Sequence, residues 1–493
     1  MNNLHIINKI IKSVFEQHYN PDGGGLDNPR NKWIINLALI SHQWFDVVTL
    51  QFTKIVIHNN SSIKTLSLIT KHLEQRQSPY SILQQPITEI RFESMDQQRY
   101  IDKISSNFIN TQFTSKILKS LYNQPKLESL LLIDSDSILA DLDKNSDNSI
   151  ISNSIKKLVY STSLQNSNLT QYANLIKRLP GLECIYLYCE GGFTGIDDLI
   201  ELFARGTSIQ DYQINFGGLP GPKRLIGQLI DSPNAHMVKK LQTSGISITV
   251  GDAIDIFSKL KNLESFNVPI NYYNLEFTRK EPFTTLSTTI GQHKCIKELF
   301  LYEHHNPTGD IVDEKIKWCV DAHLRAALAD IFVSKTTIEL LSIDELPSQV
   351  VSSPDLFDNL KQQDNLQVVK ISNGSLDNTG IDFLSKTLMV NNSIYFVSLQ
   401  NNNLSNERAL AQVLSTSTSI KELDISGNSF IGTEILLSII KNNKLNSLTC
   451  NSDNFSAEAK SLYNNVINNP NTLSNLTHHV CFNKNDSYLR FFQ

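Results

Sequence analysis

Asp141, Asp143, Asn145 and Asp147 alternate along the chain, the spacing at which oxygen side chains of a calcium loop converge on one ion. Such a loop needs Gly at its sixth position for the sharp turn and Glu at its twelfth for bidentate ligation. Ser146 and Ser152 stand there, so the expectation is an acidic surface loop. The string GGLPGPK at 217–223 is rich in glycine but lacks the four-residue gap of a phosphate loop. Arg224 follows its lysine where a metal-binding Ser or Thr would be required. His304 with His305, and His478 with His479, are adjacent pairs. Neighbouring side chains on a strand point to opposite faces, so such pairs are expected as surface or turn residues rather than metal ligands. Cys184, Cys189, Cys295, Cys319, Cys450 and Cys481 form no CxxC pair and read as reduced thiols. No HExxH, GxSxG or GxGxxG string and no nucleophile–base pair is legible. The expectation is a non-enzyme with no catalytic residue, no metal and no cofactor.

What must position side chains in this chain is not one core, because 493 residues exceed what a single hydrophobic core supports. Hydrophobic residues make up 40%, enough to fold, while charged residues make up only 19% and the formal net charge is −5. That balance speaks against a broad nucleic-acid-binding face, which needs clustered Lys and Arg. No apolar run approaches the ~18 residues of a membrane span. The opening MNNLHIINKIIKSVFEQ is interrupted by Lys9 and Lys12, so no signal peptide is expected and the location is expected to be cytoplasmic or nuclear.

A repeat organises the chain. With Ile394 as position zero, apolar residues follow at +3 (Val397) and +5 (Leu399), then Asn402 at +8 and Leu404 at +10. The same offsets from Ile420 give Leu423, Ile425, Asn428 and Phe430. From Leu366 they give Val369, Ile371, Gly374 and Leu376, and from Leu445 they give Leu448, Cys450, Asp453 and Phe455. Residues +3 and +5 share one face of a short strand. Asn at +8 suits a turn, because its amide can bond backbone groups the strand leaves free. Weaker units start at Leu127, Ile155, Leu182, Ile209, Val238, Leu263, Ile296 and Ile338, with irregular ones at Phe52 and Ile87 and a last one at Leu473. Their inward pairs run from Leu130/Leu132 through Tyr212/Ile214 and Phe266/Val268 to Leu341/Ile343. The pattern LxxLxLxxNxL resembles the leucine-rich repeat. Because steps of mostly 25 to 29 residues leave room for a helix, it is similar to the ribonuclease-inhibitor-like class. The implied fold is α/β, a horseshoe solenoid over 51–482 with an N-terminal helical cap at 1–50 and a tail at 483–493. The long step from Ile296 to Ile338 keeps helical spacing through Ile316, Val320, Leu324, Leu328 and Ile331, which predicts one extended helix.

Residues at +2, +4 and +6 alternate with the core and are expected on the concave face, where solenoids commonly bind partners. The candidates there are Tyr186, Tyr188, Phe300, Tyr302, Lys370, Phe396, Glu422 and Asp424. Aromatics are favoured because they carry large apolar area with little rotamer freedom.

Residues 1–50 do not follow the repeat. Ile6, Ile7, Ile10, Ile11, Val14 and Phe15 form an apolar helical stripe, a glycine-rich loop follows, and WIINLALISHQWFDVVTL gives a second helix. Leu37, Leu39, Ile40, Ser41 and Trp44 in that helix resemble an F-box, a resemblance that implies docking on a Skp-type adaptor. The residues alone also fit a plain cap shielding the first repeat. Three functions follow. The first is a non-catalytic scaffold binding a protein partner on the concave face. The second, from the resemblance, is an F-box-type substrate adaptor of a Skp–cullin ubiquitin ligase. The third is a regulator of an enzyme or small GTPase, which the repeat class implies. None involves nucleic acid or membrane.

Overall fold

The computed structural model describes residues 54–58, 88–93, 126–133, 139–140, 154–163, 167–217, 220–273, 279–303, 314–442, 444–450 and 455–468. The cap at 1–50 with Leu37, Leu39, Ile40 and Trp44, the acidic loop at 141–147, both adjacent histidine pairs, the unit at Leu473 and the tail lie outside these residues. The chain divides into two compact units, Met1–Val238 and Lys239–Gln493.

In the first unit the strands Lys54–His58, Glu89–Glu93, Ser129–Ile133, Lys157–Thr162, Cys184–Cys189 and Asp211–Asn215 pair in that order, each parallel to the next. From Leu127 onward the inward pairs read from the repeat are buried: Leu130/Leu132, Leu158/Tyr160, Ile185/Leu187 and Tyr212/Ile214. Helices Leu169–Lys177 and Ile196–Arg205 cover this side. Tyr160 stacks on Tyr172 with ring centroids 5.3 Å apart, and Tyr212 meets Phe203 edge-on at 5.2 Å. Each contact ties a strand to a covering helix and adds to the burial of large apolar rings.

The second unit repeats the plan. Its strands Lys240–Ser244, Ser265–Asn267, Glu298–Tyr302, Leu340–Asp344, Val368–Ser372, Phe396–Ser398, Glu422–Asp424 and Ser447–Thr449 pair consecutively and in parallel. The +3 and +5 side chains are buried from Leu241/Thr243 to Leu448/Cys450. Burial, with the Asp424 charge as a smaller cause, pushes the Cys450 thiol up to about 11. The long step forms one helix, Glu314–Ile331, of 18 residues. Val320, Leu324, Leu328 and Ile331 are its buried stripe, and Ile316 is half-buried near its start. After Leu404, the helix Glu407–Thr416 buries Leu410, Val413 and Leu414 as the spacing predicts.

Two polar ladders hold the turns of this unit. At +8, the Asn402 amide donates to Ile371 O at 2.7 Å and its oxygen accepts from Leu376 N at 3.1 Å. Asn428 donates to Leu399 O at 2.6 Å and accepts from Leu404 N at 3.0 Å. Each buried amide thereby satisfies backbone groups of the preceding repeat, where an orphaned group would cost about 1–3 kcal/mol. The +7 residue is left-handed in four successive units, with Glu345, Asn373 and Asn401 at φ 56–57° and Gly427 at 69°. Asn and Gly tolerate that conformation. At Gly427 a side chain would also collide with the Asn401 amide oxygen.

The second ladder stands three residues before the repeat starts at Ile296, Leu366 and Ile394 and bridges helix to strand. Asn391 donates to Leu360 O and Gln363 O, both at 3.1 Å, and accepts from Ile394 N at 3.1 Å. Gln363 donates to Phe332 O at 2.8 Å and accepts from Thr336 N at 3.0 Å. His293 fills the same place with an imidazole, its Nε2 3.0 Å from Leu260 O and its Nδ1 accepting from Ile296 N at 3.2 Å.

Candidate functional site

Alternation fixes what each sheet offers on the side opposite its helices, here called the open face. In the first unit Val159, Tyr186 and Gln213 are register partners, as are Ser161, Tyr188 and Asn215. Tyr188 is half-buried, whereas Tyr186 is only 9% exposed. Burial raises the Tyr186 phenol pKa, and the Tyr186 carbonyl lies 3.5 Å from the Tyr172 hydroxyl, which donates to it. Tyr188 is thus the more accessible of the two, and Tyr186 is largely part of the wall.

The other six candidates belong to the second unit. Phe300, Tyr302, Lys370 and Phe396 are half-buried, Glu422 is exposed and Asp424 is 9% exposed. Tyr302 has a partner inside the sheet: its hydroxyl reaches past the strand Ser265–Asn267 to donate to Thr243 O at 2.9 Å. Burial again lifts its phenol pKa, with Asp344 and Glu345 as lesser causes. Lys370 Nζ sits 5.6 Å from the Phe396 ring centroid, a cation–π distance. Asp424 accepts from the Gln400 amide, from Ser426 N at 3.0 Å and from Ser426 Oγ at 2.8 Å.

Register brings together residues that the repeat offsets treat singly. Glu298, Leu340, Val368, Phe396 and Glu422 occupy one row across five neighbouring strands. Leu340, Val368 and Phe396 are half-buried side by side, an apolar strip on a face whose alternate residues are fully buried. Leu340 is the member that offset reading passes over. It stands at +2 of the unit at Ile338, and that position is the signal that finds it. Asp344 is also on this face, accepting from Ser372 Oγ at 2.8 Å and Asn373 Nδ2 at 2.7 Å.

Among the described residues a thiol–imidazole pair is formed that the sequence strings do not reveal. Cys319 Sγ and His323 Nε2 lie 3.4 Å apart, one turn apart on the helix Glu314–Ile331. GGLPGPK falls between the strand Asp211–Asn215 and the helix Arg224–Ile230, with Gly217 at φ 56°. Among the described residues no group of three His, Cys, Asp or Glu side chains is placed to hold a metal ion, and no helix is long and apolar enough to cross a membrane.

Parallel strands at LxxLxL positions, a helix in each described return from Leu169 onward and +8 amides at Asn402 and Asn428 define the architecture as a leucine-rich-repeat solenoid of α/β class. No family model and no curated protein matches the chain. Among solved structures, a chain of the yeast Rad7–Elc1 complex is similar to it, with 14% identity, a TM-score of 0.44, and coverage of 92% of this chain and 94% of that one.

Proposed function

We propose that this chain is a non-catalytic interaction protein that binds a protein partner on the open face of its repeats, without cofactor, nucleic acid or membrane. The observation that carries the reading is the strip Leu340, Val368 and Phe396, half-exposed on three adjacent strands whose +3 and +5 side chains already fill the core. Side chains free of core duty, apolar and held on a rigid sheet supply contact area at little entropic cost. Replacing Leu340 and Phe396 together with Asp tests this by affinity capture from an extract, scored by mass spectrometry beside a thermal melt. The specific partner is expected to be lost with the melt unchanged. Capture equal to that of the parent chain would overturn the proposal.

The F-box-like residues Leu37, Leu39, Ile40, Ser41 and Trp44 support a narrower second reading, a Skp-type adaptor docked at the N-terminus with the repeats selecting a substrate. Its operating site would be cytoplasmic or nuclear. Direct titration of the full chain with a Skp-type adaptor separates it from the scaffold reading.

A further inference from the structure

Within a register row that runs from Lys240 through Ser265 to Glu298 and on from Glu422 to Ser447, the stretch Glu298–Leu340–Val368–Phe396–Glu422 has a carboxylate at each end and three apolar side chains between. Neighbouring strands stand about 4.8 Å apart, so the ends of this stretch are separated by about 19 Å. An extended peptide advances about 3.3 Å per residue, which makes the stretch the length of roughly six residues. From these observations we infer that the open face of the second unit receives an extended, basic segment of a partner protein laid across the strands. Two Lys or Arg side chains about six residues apart meet Glu298 and Glu422, and apolar side chains between them rest on Leu340, Val368 and Phe396. This rests on the open-face binding proposed above and names the class of partner.

The surrounding charge agrees. At the +2, +4 and +6 positions of the five units from Ile296 to Ile420, the charged side chains are Glu298, Asp344, Lys370, Glu422 and Asp424. Over these five strands four carboxylates face one ammonium, that of Lys370, which is drawn toward the Phe396 ring, and Lys240 is a second cation two strands beyond Glu298 in the same row. Asp344 and Asp424 accept from the uncharged Ser372, Asn373, Gln400 and Ser426, which orient them without neutralising them. Such a face attracts cationic segments and repels acidic peptides and nucleic acid. Glu298 is half-buried and Glu422 exposed, so their ion pairs are of the solvent-screened kind and weaken as salt rises.

The test uses the full chain and a fluorescent peptide of about twelve residues, with Lys at positions six apart around a Leu/Phe centre. Its match carries Glu for each Lys. The Lys peptide is expected to bind about tenfold tighter than the Glu peptide. Glu298→Gln combined with Glu422→Gln is expected to remove about tenfold of that affinity, the size of two exposed ion pairs. The melt should stay unchanged, since both side chains lie on the open face. Equal or tighter binding of the Glu peptide, an unaffected Gln variant, or no binding of the Lys peptide up to about 1 mM would each overturn the inference. If the partner is still lost on changing Leu340 and Phe396 while the Lys peptide fails, the open-face reading stands and the basic class falls. If capture survives that change, the open-face reading itself falls.

Discussion

His293 shows how much one buried side chain can settle. Its Nε2 donates to Leu260 O, and its Nδ1 accepts from Cys295 N at 3.4 Å and Ile296 N at 3.2 Å. Those partners require the neutral ring, since a proton on Nδ1 would face two N–H groups. Burial holds its pKa below the usual 6.5, with Lys261 as a smaller contribution in the same direction. A histidine depressed in the fold binds its proton more readily when unfolded, so stability is complete above about pH 6.5 and falls as the pH drops through the window beneath it. Gln363 and Asn391 do the same work with amides that do not titrate. His293→Gln is therefore expected to flatten the fall in melting temperature between about pH 7 and 5, measured against the parent chain so that the other histidines cancel. Parallel curves for the two proteins would contradict this role.

The elements divide into those legible from residue spacing and those that are not. The strands were legible because +3 and +5 recur at every start from Leu127 to Leu445, and a slip of one residue would turn every core side chain outward. The helix Glu314–Ile331 was legible because five apolar residues keep one face over four turns. Three features were not. The two-residue pairings of Ser167–Asn168 with Phe193–Thr194 and of Ile248–Thr249 with Ile270–Asn271 are too short to carry a pattern. The return after Asp344 splits into Ser348–Val351 and Pro354–Leu360, with Pro354 opening the second helix. The polar ladder before three of the strands uses His293, Gln363 and Asn391 in turn, so no single residue type marks it. On the open face each residue was legible, but the row from Glu298 to Glu422 depends on register between strands.

The long helix also carries a buried acid that spacing could not assign. Asp321 is 4% exposed. It accepts from Tyr273 Oη at 2.5 Å and from Gln349 Nε2 at 2.9 Å, which ties the helix to the chain on either side of it. Asp321→Ala strands both donors and is expected to cost about 2–4 kcal/mol in chemical unfolding. Adding Tyr273→Phe removes one stranded hydroxyl, so the double variant should lose less than the sum of the two single losses. Strict additivity would show that the pair is not coupled.

At the scale of the molecule, the two units use one repeat for two purposes. Alternate side chains facing the helices build the core, and the others line the open face. In the second unit the open face carries an apolar strip between Glu298 and Glu422, while in the first it carries the half-buried Tyr188. Opposite the open face of the second unit, the long helix displays Trp318 at 76% exposure, a large aromatic on the wrong side for the proposed contact. This makes Trp318 an internal reference. The most direct test is hydroxyl-radical footprinting of the full chain, alone and in its captured complex. Open-face binding predicts that Phe300 and Phe396 become protected in the complex while labelling of Trp318 is unchanged. Protection of Trp318 with Phe300 and Phe396 labelled as in the free chain would contradict it.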